Sequence, residues 1–150
     1  MATWSGIRNK LENEYLAESL RGHIQYFATT YRESPDQEGR ASIRYDGKEI
    51  LSGAYFHKEH PIDWDVDVVD ESALKTGAFD QRTFYAAFRE FDNQSIEKSL
   101  KSENLMIRIF AILDKRVGKR RLISMKDGIS EEPEIFRQFY TIRSKAEGIS

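Results

Sequence analysis

The chain contains no cysteine. Disulfides, cysteine-ligated zinc and thiol catalysis are therefore excluded, and a cytoplasmic setting is the expectation. Long hydrophobic runs are missing too. The longest apolar cluster, Ile107 to Leu113, is interrupted by Arg108 and falls short of the ~18 residues a membrane span needs. No apolar run follows a basic start, and the opening residues read as the beginning of a helix rather than as a targeting signal. Neither sign of charge dominates. With 23 Lys and Arg against 25 Asp and Glu, the net charge is −2. No global electrostatic drive toward nucleic acid or membrane follows.

What is present suits one domain with one core. The chain has 150 residues, enough to bury roughly 70% of the unfolded surface without a staple. Apolar residues make up 39% and charged residues 32%, a polar balance, but 12% aromatics argue against disorder.

The hydrophobic period changes along the chain. Trp4, Ile7, Leu11, Tyr15 and Leu16 recur at helical spacing, which predicts a helix over 3–18 with Thr3 or Ser5 as cap. His23 to Arg32 is aromatic and β-branched and predicts a strand. Its Ile24, Tyr26 and Ala28 share one face, and Gln25 and Phe27 the other. Residues 33–39, with Pro35, Asp36 and Gly39, predict a turn. Strands over 40–46 and 49–56 follow, joined by the tight-turn dipeptide Asp46-Gly47. Residues 57–71 are the least regular, though Asp63, Asp65 and Asp67 alternate with Trp64 and Val66 as on a strand.

From Asp80 the pattern is helical. Phe84, Ala87, Phe88 and Phe91 mark one helix, and Ile96 and Leu100 a short second one. Leu105, Ile109, Ile112 and Leu113 mark a third, expected to end at Gly118 as a C-terminal glycine cap. A last helix is expected from Ser130 to Ala146 with Pro133 in its first turn. The fold class is therefore α+β as one domain: an N-terminal helix, an antiparallel meander of roughly two to four strands, and a C-terminal layer of about four helices.

Several of these stretches look familiar together. They are Thr3-Trp4-Ser5 with Ile7-Arg8 and Leu11-Glu12; Ser19-Leu20-Arg21-Gly22 running into Ile24 to Arg32; Gly39-Arg40, Ile43-Arg44 and Asp46 to Ile50; and Leu113-Asp114 with Arg116 to Arg120. With them the chain resembles a family of small, uncharacterised bacterial proteins. The resemblance implies a bacterial or phage-related cytosolic protein, and brings no activity, cofactor or catalytic residue.

Three groups of residues could carry chemistry. Five of the seven residues 115–121 are cationic: Lys115, Arg116, Lys119, Arg120 and Arg121. They could grip phosphates, joined by Arg21, Arg40 and Arg44 if the strands lie alongside. The plainer reading is helix-dipole compensation and surface ion pairs. Asp63, Asp65 and Asp67 form an acidic patch. The spacing fails the EF-hand pattern, because Val68 and Leu74 stand where glycine and glutamate are needed. The patch suits a cationic surface better than a metal. His57 and His60 beside Glu59 and Asp63 are a weak zinc pattern. No metal or cofactor is therefore expected.

No nucleophile elbow, phosphate loop or dinucleotide fingerprint occurs. The reading that follows is a non-enzymatic interaction module acting on a protein partner through charged patches: a regulator, adaptor, inhibitor or immunity-type protein. The alternative is binding of nucleic acid or a phosphorylated ligand by the 115–121 run.

Overall fold

The computed structural model describes residues 4–30, 39–53 and 81–149. Residues 33–38 of the turn expected over 33–39, the segment 57–71 with His57, His60, Asp63, Asp65 and Asp67, the cap candidate Thr3, and Asp80 lie outside the described residues; Gly39 is the first residue of a strand.

Helix α1 (Trp4–Asn9) runs directly into a π-helical turn, Lys10–Tyr15, and stops where Leu16 turns extended. A 3-10 turn, Glu18–Leu20, leads into a three-stranded antiparallel sheet in the order β1 (Ile24–Thr30), β2 (Gly39–Tyr45) and β3 (Lys48–Gly53). Pairing sets Ile24 opposite Tyr45 and Tyr26 opposite Ile43. Because side chains alternate, this register puts Ile24, Tyr26, Ala28, Ala41, Ile43 and Leu51 together as the buried face. Asp46 (φ 50°) and Gly47 (φ 84°) close the β2–β3 hairpin. Two consecutive positive φ values are what a two-residue hairpin turn requires.

Five helices follow: α2 (Gln81–Asp92), α3 (Ile96–Leu100), α4 (Leu105–Ile112), α5 (Lys119–Met125) and α6 (Glu134–Ala146). Helix α4 is apolar except for Arg108, which pairs with Glu132, and is packed by α2, α3 and α6. Asn104 caps it, its side chain accepting from the amides of Met106 (3.0 Å) and Ile107 (3.4 Å). Sheet and helices meet through rings. Tyr26 lies 5.9 Å from Phe110, and Phe84 meets Phe110 edge-on at 5.3 Å. Burying each such ring contributes about 2–3 kcal/mol, so this cluster joins the two layers into one core. The α+β class and the helix–meander–helices order stand as expected.

Three boundaries differ from the expectations. The first helix finishes as a π turn, because Lys10 and Tyr15 both reach Asp92 at the end of α2. The third helix does not run to Gly118. It ends at Ile112, and Gly118 (φ −84°, ψ 171°) precedes a new helix, α5, rather than closing an old one. The last helix begins after Pro133, and the residues before it form a 3-10 segment, Lys126–Glu131.

Candidate docking surface

The basic run sits on the connection between α4 and α5. Helix α4 ends with carbonyls that have no partner within the helix. The side chain of Arg143 on α6 supplies the missing donors. Its Nη1 donates to the carbonyls of Ile112 (2.9 Å) and Asp114 (2.7 Å), and its Nη2 to that of Val117 (2.6 Å). Nε donates to Glu147 at 3.2 Å. Arg143 is only 3% exposed, so each of these bonds is made away from water. The planar guanidinium spreads five donors in a rigid fork, a span that a compact ammonium with three donors cannot match. The negative end of the α4 dipole and the Glu147 carboxylate together balance its charge.

Glu147 is itself held well below the usual carboxylate range. The Ser19 hydroxyl, donating at 2.5 Å, is the main cause, and Arg143 and Lys119 add to it.

The start of the connection is fixed from the other side. The Ala17 amide donates to the Leu113 carbonyl (2.9 Å), and the Lys115 amide to the Tyr15 carbonyl (2.7 Å). A short antiparallel bridge between Leu16 and Asp114 results. The Asp114 side chain is buried. Its carboxylate accepts the Arg116 amide at 2.7 Å and the Arg116 guanidinium at 3.0 and 2.8 Å. The guanidinium also lies over the rings of Tyr15 and Phe91, 5.0 and 5.6 Å from their centroids. The bidentate pair raises the Arg116 pKa further. Burial, helped by the hydroxyl's bond to Asp92, pushes the Tyr15 phenol up to about 12.

The expected site residues therefore separate. Arg116 is tied to Asp114, and Arg121 to Glu97 on α3. Arg21 bonds the Asn13 carbonyl and faces Glu18. Arg44 lies 4.8 Å over the Phe27 ring and 3.5 Å from Glu49. Arg40 is opposite Thr29 in the β1–β2 ladder. Among the described residues, no hydrogen bond or ion pair joins Arg21 or Arg44 to the 115–121 run. Lys115, Lys119 and Arg120 are exposed and make no salt bridge among the described residues. Asp63, Asp65 and Asp67 are outside them.

Helix α5 adds a residue that the charge pattern hides. Leu122 points inward and is fully buried, and Tyr140 donates to its carbonyl at 2.5 Å. Ile123 points outward and is 55% exposed. It follows Lys119 by four positions and Arg120 by three, so all three share one face of the helix. Among the described residues it is the only large apolar side chain left so exposed. The one sequence signal for it was an isoleucine just beyond a basic run. The signal for Arg143 was an arginine in line with the apolar Phe136, Phe139 and Tyr140 stripe.

A family model covers residues 3–144 of the chain, that of the SF0329 protein family. The chain belongs to the SF0329 protein family. No curated protein and no solved structure matches it. Among the described residues, no helix is long and apolar enough to cross a membrane, and no three His, Asp or Glu side chains are grouped to hold a metal ion.

Proposed function

We propose that this member of the SF0329 family is a non-enzymatic interaction module that docks an acidic protein partner on the outer face of α5. The observation that carries the reading is Ile123, exposed on the same face as Lys119 and Arg120. An apolar anchor flanked by cations is the composition of a protein interface: the anchor supplies desolvation, and the charges supply orientation and a fast approach. The bonds from Arg143 and Asp114 hold the connection before any partner arrives, which lowers the entropy lost on binding. The setting we infer is the bacterial cytoplasm, from the missing cysteine and the family resemblance.

Phosphate or nucleic-acid binding is supported less well. An isoleucine does nothing for a phosphate. Of the three forked cations of the run, the kind best suited to one, Arg116 and Arg121 are occupied by Asp114 and Glu97, which leaves Arg120 alone. Strand binders stack bases on exposed rings, yet Tyr26 is 1% exposed and Phe27 lies beneath Arg44.

The test is site-specific photo-crosslinking in the native cells, with a benzophenone side chain at position 123 and, as control, at position 131. The expected result is an acidic protein captured at 123 but not at 131, and lost when Lys119→Glu and Arg120→Glu are added. Capture of nucleic acid, or no adduct at 123, overturns the reading.

A further inference from the structure

A hollow of about 480 Å³ lies between α6 and the 3-10 segment Lys126–Glu131. That volume falls within the range of small-molecule sites. It shares no residue with the Lys119–Ile123 face. Its apolar part comes from Ile129, Tyr140 and Ile149. The Tyr140 hydroxyl is already engaged with the Leu122 carbonyl, so the ring contributes surface rather than a free donor.

Ile149 reaches the hollow because of how α6 ends. Gly148 takes φ 75°, its amide bonds the Lys145 carbonyl (3.1 Å), and the Ile149 amide bonds the Ser144 carbonyl (2.8 Å). This 6→1 and 5→2 pair folds the chain back over the helix terminus.

The polar part is cationic. Arg137, Thr141 and Lys145 are spaced by four residues and form one row along α6, about 12 Å from end to end. All three are exposed, and neither Arg137 nor Lys145 makes an ion pair among the described residues. Lys126 adds a third cation on the opposite side, and no carboxylate lines the hollow. Ser144, also on the wall, carries a buried hydroxyl with no hydrogen-bond partner. Arg137 and Lys145 with hydroxyls beside an apolar surface, and no carboxylate in the lining, match a ligand that is anionic at one end and hydrocarbon at the other.

We infer that this hollow binds a small organic anion: a carboxylate or phosphate monoester whose hydrocarbon body rests on Ile129, Tyr140 and Ile149 while its head meets Arg137, Thr141 and Lys145. The experiment titrates octanoate, octyl phosphate and neutral octanol into the full ¹⁵N-labelled chain, followed by calorimetry and amide shifts. Saturable binding of either anion, with shifts at Thr141, Lys145 and Ile149, is the expected result. Whichever anion binds more tightly identifies the head group. Arg137→Ala with Lys145→Ala should weaken it by about tenfold or more at an unchanged melting temperature, whereas Ile123→Asp should leave it intact. The inference fails if octanol binds as tightly, if neither anion saturates, or if the double variant keeps full affinity.

Discussion

Arg143 carries a full charge at 3% exposure and spends it on backbone rather than on a single acid. Removing it leaves three buried carbonyls without their donor and takes one donor from the partly exposed Glu147. Arg143→Met keeps much of the volume and deletes the donors. It should destabilise the protein by about 3–5 kcal/mol in urea unfolding, and Arg143→Lys should not restore the loss, because an ammonium cannot span the same acceptors. Glu147 gives a second residue-scale expectation. Its folded pKa lies below the unfolded value of about 4.3, so the unfolded chain binds the proton more readily. The carboxylate therefore stabilises the fold above that pH, and the contribution disappears as pH falls through the folded pKa. Melting curves between about pH 3 and 7 should show wild type losing more stability on acidification than Glu147→Gln. Equal losses would remove Ser19 and Arg143 as the cause.

At the scale of elements, the ends of helices decide which surface is shown. Helix α4 stops where Arg143 takes the Ile112 carbonyl and the Leu16–Asp114 bridge takes the chain just beyond it, α5 starts anew after Gly118, and α6 folds back at Gly148. A Cβ at Gly148 would meet nothing within 4 Å, so Gly148→Ala probes the backbone alone. An L-residue held at φ 75° costs about 1–2 kcal/mol, and the melting temperature should fall accordingly, with the Ile149 amide shift moving first.

Such ends are where local pattern runs out. The alternation Ile24, Tyr26, Ala28 and the Phe84, Phe88, Phe91 stripe could be read directly, because burial imposes the periods of 2 and 3.6 on the sequence. The break after Ile112 could not. A glycine at 118 suits the end of one helix as well as the start of the next, and the donor that ends α4 arrives from residue 143. The π turn was hidden for the same reason, since its partner, Asp92, is remote in sequence. Pairing likewise divides the basic run: periodicity shows five cations, but not that Asp114 and Glu97 claim two of them.

At the scale of the molecule, one aromatic core joins a meander to five helices, and its outer connection carries two kinds of charge. Arg116, and Arg143 reaching over from α6, brace the connection through buried partners, while Arg121 is engaged in an exposed pair with Glu97. Lys119, Arg120 and Ile123 are exposed and, within the described residues, form no salt bridge; only a minor pull of Lys119 on Glu147 ties any of them to the fold. Equilibrium urea unfolding of the combined Lys119→Ala, Arg120→Ala and Ile123→Ala variant tests that division. The variant's stability should lie within about 0.5 kcal/mol of wild type, as for surface positions free of structural duty. A loss of about 2 kcal/mol or more would mean that this face serves the fold and is not held in reserve for a partner.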